Sequence, residues 1–187
     1  QDYLLSDSVY RKSLGSRLSW MHPLDNHSRL SSYLQQITFD FPGHFQDNAT
    51  RRIGGASRES TLDGGAKLLQ YGFYGGQEDA NEPDKPHFSY RLWGVHLGGS
   101  LLLGNNLSVS AAALFESRHH IGEDKLYLYM RRDQQLSVGL SADYRFNERW
   151  HLLPQYTHTH NDSTTELYEY ARNTFMVQLK WDFDNEK

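Results

Sequence analysis

His158 and His160 stand two residues apart, so on an extended strand both imidazoles project from the same face, as zinc ligands on a strand can. His119 and His120 form a second pair, placed by the sequence in a long loop. The chain has no Cys, and no third ligand stands at a metal spacing, so these read as interface or loop histidines and neither metal nor cofactor is expected. The acidic stretch 75–86 carries Glu78, Asp79, Glu82 and Asp84 but lacks the Asp-x-Asp-x-Asp-Gly spacing of a calcium loop, and reads as a solvated acidic loop. Ser, His and Asp are plentiful, yet no nucleophile elbow or other positioned motif orders them, so the chain is not expected to be an enzyme. What remains is a set of charges at strand ends or on strands: Arg131, Arg132, Asp133, Arg145, Glu169 and Arg172. Side chains of this kind either brace a polar wall with ion pairs or guide a polar passenger along it.

The elements that must position them are strands. Leu136, Val138, Leu140, Ala142, Tyr144 and Phe146 alternate with Ser137, Gly139, Ser141, Asp143 and Arg145, a period of two with one apolar face. Phe175, Val177, Leu179, Trp181 and Phe183 repeat the pattern against Thr174, Gln178, Lys180 and Asp182, with Met176 the one apolar residue on the second face. Between them Asn147-Glu148-Arg149 is a tight turn, followed by Trp150, Leu152, Pro154 and Tyr156 on one face. Trp93 to Leu103 and Leu107 to Phe115, joined by Gly104-Asn105-Asn106, form a hairpin. The first half is less regular: Leu14 to Trp20, Arg29 to Phe39 and Leu62 to Phe73 read as strands, and the Gly- and Arg-rich stretch 40–59 breaks the rhythm, so either it hides a strand or the register before it is shifted. The count is eight strands, with a margin of about two. Short turns alternate with long polar stretches at 75–86, 117–125 and 161–172, the asymmetry of outer-membrane barrels whose long loops face outside.

Composition supports a membrane wall. The hydrophobic fraction is 37% and mean hydropathy −0.74, yet aromatics reach 13%, a combination that neither a disordered chain nor a helical membrane protein shows. A barrel explains both values, because the lipid face takes only every second residue and rings concentrate at the two interfaces. A soluble β-sandwich also alternates, but here the ring-bearing residues lie near strand ends and the opposite faces carry Ser, Gly, Gln, Lys, Asp and Arg at mid-strand. Val138, Leu140, Tyr144, Val177, Leu179, Trp181 and Phe183 are therefore expected to face lipid. The net charge of −4 gives no global attraction to nucleic acid. Gln1 in place of an initiator Met is expected of a processed or trimmed product.

From Arg131-Arg132-Asp133 onward the order of motifs is specific: an alternating strand to Phe146, Trp150-x-Leu152-x-Pro154-x-Tyr156, Asn161-Asp162-Ser163, Tyr168-Glu169-Tyr170-Ala171-Arg172-Asn173, and a last strand closing on an aromatic. This resembles the C-terminal barrel end of the surface lipoprotein assembly modifier family and related exporters that combine a tetratricopeptide-repeat domain with a barrel. Thr164 departs from the second Asn often found after Asn-x-Ser, and Asp184 to Lys187 follow the closing aromatic. The resemblance implies an all-β, transmembrane, antiparallel up-and-down barrel spanning 1–187, or the C-terminal portion of a larger one. It implies residence in the bacterial outer membrane, with membrane lipids, the barrel assembly machinery and a lipoprotein or secreted-protein passenger as partners. The expected function is translocation or display of that passenger at the cell surface, and the alternative is a passive porin or polysaccharide-export channel.

Overall fold

The computed structural model describes residues 2–5, 8–42, 48–82, 86–123 and 127–183, with side chains from Arg11 onward. Ten strands form one sheet in chain order, every neighbour antiparallel. They are β1 (Asp2–Leu5), β2 (Ser8–Asp25), β3 (Ser28–Asp40), β4 (Ala49–Leu62), β5 (Lys67–Ala80), β6 (Tyr90–Leu103), β7 (Leu107–Glu123), β8 (Met130–Arg145), β9 (Trp150–Ser163) and β10 (Tyr170–Trp181). Nine of them are 12 to 18 residues long and β1 has four, so the total of ten lies at the upper end of the expected eight, give or take two. No described helix is long and apolar enough to cross a membrane.

Of the two strands beyond the eight, β1 is the four-residue one and β4 lies in the stretch that broke the rhythm. Thr50, Arg52, Gly54, Ala56, Arg58 and Ser60 occupy one face of β4, so no apolar alternation betrays it. Pairing on both sides holds it instead, with β3 from Ala49 to Ser60 and with β5 from Ala49 to Leu62. The expected strand from Leu62 to Phe73 is interrupted: β4 ends at Leu62, residues 63–66 turn the chain, and β5 starts at Lys67. Much of the three expected loops is also strand, because the ladders run on after the apolar residues stop. His119 and His120 accordingly sit on β7 rather than in a loop.

Alternate connections separate the two ends of the sheet. From β2 to β10, residues 26–27, 63–66, 104–106 and 146–149 make two- to four-residue turns at one end, and 41–48, 81–89, 124–129 and 164–169 make six- to nine-residue connections at the other. Gly104 adopts φ 70°, a left-handed conformation that a side chain would disfavour, and so permits the three-residue turn between β6 and β7. Asn105 and Glu148 lie at the short-turn end; Glu82, Glu123 and Ser163 lie at the other.

Register assigns each residue a face. Arg51, Glu78, Tyr90 and His120 follow one another directly across β4, β5, β6 and β7, and Arg118, Asp133 and Ser163 continue across β7, β8 and β9. This polar face is the crowded one, with Tyr90, His120 and Asp133 at 8%, 6% and 3% exposure. The opposite face carries Trp93, Leu97, Leu140, Phe175 and Leu179 at 49% exposure or more (49, 54, 54, 71 and 62%). Only Ala49, Tyr90 and Leu92 are buried apolar residues among those described, so the sheet is inside out relative to a soluble sandwich. It is also unclosed: β10 pairs with β9, β2 beyond Lys12 pairs with β3, and no pairing joins β10 to β1 or β2 among the described residues.

Candidate functional site: the polar wall and its braced rim

The crowded face is organised by arginines held between acids and rings. On β4, Arg51 donates from Nε to Glu78 Oε2 at 2.6 Å and from Nη2 to the Tyr90 hydroxyl at 2.7 Å, reaching over β5 to β6. On β7, Arg118 pairs with Glu116 at 2.5 Å and lies 5.9 Å from the Tyr90 ring centroid. Tyr74 of β5 donates to Glu116 at 2.5 Å, which requires its ring to lie across β6. Gly94 makes that possible, since a Cβ there would meet Tyr74 Cζ at 2.5 Å. Further along, Arg17 stacks on Tyr33 with its guanidinium 4.0 Å from the ring centroid. Side chains that reach two strands away do so on the inner side of a curved sheet, which identifies this face as inward.

Asp133 ties the rim at the long-connection end. Its Oδ1 accepts from Ser163 Oγ at 2.7 Å, its Oδ2 accepts from Arg131 Nε at 3.1 Å, and His120 Nε2 lies 3.5 Å from the same Oδ2. His120 Nδ1 in turn lies 2.7 Å from the His87 carbonyl, which fixes residues 86–88 against β7. Arg131 stacks 3.7 Å from the Tyr168 ring centroid, and Asn161 Nδ2 donates to the Tyr168 carbonyl at 2.8 Å. Ser163 Oγ accepts from the Thr165 N–H at 3.1 Å, and Thr165 is fully buried. Asp133, Ser163, Asn161, Tyr168 and Arg131 come from three separate motifs of the sequence, and together they hold the 164–169 connection down on β8 and β9.

Not every expected charge belongs to this rim. Arg132 points to the other face and contributes through its backbone, its N–H donating to Thr164 Oγ1 at 3.0 Å. Arg172 is exposed on the inward face opposite Thr159, and Glu169 is exposed just before β10. Arg145 opposes His151 at the short-turn end. There His151 lies between Asp143 (2.8 Å) and Asp182 (3.3 Å), tying β8, β9 and the residue after β10 together. The hydrogen bond from Lys180 holds the Asp182 carboxyl below the usual carboxylate range. Arg51, Glu78, Tyr74, Tyr90, Glu116, Arg118 and His120 were missed as site residues. Arg51 lay in the unread strand and Arg118 and His120 in the overextended loop, so their register with Glu78, Tyr90 and Asp133 was hidden.

The residues expected to face lipid share the outward face: Val138, Leu140 and Tyr144 on β8, Val177, Leu179 and Trp181 on β10, and Phe183 two residues beyond Trp181 in the chain. Trp181 stacks on Trp150 at 5.5 Å, and Phe183 lies against Trp181 at 4.1 Å. The tail 184–187 lies outside the described residues. His158 and His160 lie on the same face but bind Asn173 and Asp162 respectively, and no group of metal-competent side chains occurs among the described residues.

An up-and-down antiparallel sheet with a polar inner face, an apolar outer face ringed by aromatics and asymmetric connections is the wall of an outer-membrane β-barrel. Solved structures agree. Outer-membrane expressed OmpT of Vibrio cholerae superposes with a TM-score of 0.66 at 13% identity over 91% of this chain and 56% of that one. Its loop L8 deletion mutant superposes at 0.53 and 13% identity, over 95% and 64%. The chain thus spans less than two thirds of either structure. The sequence profile of the surface lipoprotein assembly modifier family matches residues 3–183, and the chain belongs to that family. Its place is the bacterial outer membrane. No curated protein matches it in sequence.

Proposed function

We propose that this wall helps deliver a lipoprotein passenger across or onto the outer membrane, by guidance and without bond chemistry. The observation that carries the reading is the extent of the family match, which runs through the wall from residue 3 to residue 183. The inner face suits the task. Arg51, Arg118 and Arg131 are already neutralised by Glu78, Glu116 and Asp133, so along this part of the wall a passing chain meets hydroxyls, amides and rings rather than a fixed charge that would trap it. With no nucleotide supply at that membrane, the driving force is folding of the passenger outside or handover from a periplasmic partner. A photo-crosslinking residue in place of Gln35 or Gln155, both inward, is expected to capture a co-expressed surface lipoprotein in cells carrying the full protein, whereas the same residue at Leu97 or Leu140 is not. Steady single-channel conductance of the purified protein, unaltered by the lipoprotein and accompanied by no inward crosslink, would establish a passive porin instead.

A further inference from the structure

Arg91 on β6 opposes His119 on β7, and His119 opposes Arg132 on β8, so the three side chains stand in one row across the outward face. Neighbouring strands are about 4.8 Å apart, which places the two guanidinium groups close enough to grip one headgroup from both sides. All three residues are exposed. The row continues through Gln77 to Arg52, and Arg52 is already engaged by Asp79 at 2.9 Å. Two further carboxylates lie on this face: Asp162, 2.9 Å from His160, and Glu123, which stands opposite Met130, two residues from Arg132. No acid pairs with Arg91 or Arg132 among the described residues, and His119 meets Ser117 Oγ only at the 3.5 Å limit.

What lies beneath the row is apolar. Trp93 follows Arg91 on the same face of β6 and packs on Phe115 with ring centroids 5.5 Å apart, as a ring pair at the membrane interface does. Below them a shallow groove of about 400 Å³ runs between Phe73, Val95, Leu97, Ala113, Phe115 and Leu136. The row sits at the long-connection end, which in outer-membrane barrels is the outer leaflet.

We propose that this row and groove form a binding site for a bisphosphorylated glycolipid of the outer leaflet, with its phosphates on Arg91, His119 and Arg132 and an acyl chain along the groove. Two unpaired guanidinium groups at nearly one depth call for more negative charge than a single glycerol phosphate brings, and the fork of each arginine matches a phosphate in two hydrogen bonds. The site is independent of the passenger reading, because it lies on the opposite face of the sheet.

The test is native mass spectrometry of the purified full protein with three probes: bisphosphorylated lipid A, its monophosphorylated form and phosphatidylglycerol. The bisphosphorylated form is expected to be retained most strongly. The paired change Arg91→Ser with Arg132→Ser should weaken its retention about tenfold, through loss of two charge-assisted contacts. Arg17→Ser, which removes an inward cation, should leave retention unchanged, and heat-modifiable mobility on unboiled gels should show all three proteins folded. Equal retention by the parent and the paired variant, or displacement of lipid A by phosphatidylglycerol at equal concentration, overturns the proposal.

Discussion

Asp133 is the residue on which the rim depends most, because one carboxylate accepts from Ser163 and Arg131 and lies 3.5 Å from His120 Nε2. At 3% exposure it has little water to replace those partners. Asp133→Ala leaves Arg131 beside the Tyr168 ring without its counter-ion and releases the serine that holds the Thr165 N–H. The expected cost is about 1–3 kcal/mol in the urea unfolding midpoint, concentrated at the rim. Limited proteolysis reports the same event locally, as faster cleavage within 164–169 than in the parent protein. Uniform destabilisation with no change in cleavage there would assign Asp133 to the wall as a whole.

At the scale of the strand, the difference between the two faces is the property that distinguishes a membrane wall from a sandwich. Leu140 and Leu179 project outward at 54% and 62% exposure, whereas Ser141 and Gln178, one residue on or before, belong to the inner register. Arg at Val138, Leu140, Val177 or Leu179 is expected to destabilise the folded barrel in lipid by about 2–4 kcal/mol. The same substitution at Ser137, Ser141 or Gln178 is expected to cost far less, since the inner side is already polar. Reversible urea titrations in vesicles read both sets, and equal costs on the two faces would return a soluble core. The nine long strands also extend past the 9–11 residues that suffice to cross a membrane, by one residue in β10 and by up to seven in β2. The excess lies toward the long connections, where β7 to β10 become polar on both faces, and it is there that the Asp133 rim is built.

For the whole molecule, the four short turns and four long connections define which end faces the periplasm. Cysteine introduced at Asn105 or Glu148 should resist an impermeant maleimide applied to whole cells, and cysteine at Glu82, Glu123 or Leu167 should react. Leu167 is preferred to Ser163 because it is 70% exposed while Ser163 is tied to Asp133. Reaction of the first group alone would invert the barrel. The two long border strands, β2 and β10, both run toward the short turns, so they cannot pair antiparallel with each other. A wall closed by antiparallel pairs therefore takes at least one further full-length strand running the opposite way, the direction in which the four residues of β1 already run.

Period and composition by themselves determined the class of wall and the second half of its register, because a strand between lipid and a polar interior writes its two environments into alternate residues. Leu136 to Phe146 and Phe175 to Phe183 could be assigned to faces on that ground alone. The order of motifs after Arg131 carried the family. Tertiary structure decided the rest. β4 has no apolar face and is a strand only because β3 and β5 supply its hydrogen bonds, and strands go on beyond the apolar band because backbone pairing does not depend on side-chain hydropathy. The rim and the outward cationic row join residues 30 or more positions apart, such as Asp133 with Ser163 and Arg91 with Arg132 through His119. Their proximity follows from cross-strand register, which a slip of one residue would turn to the opposite face, and which only the assembled sheet fixes.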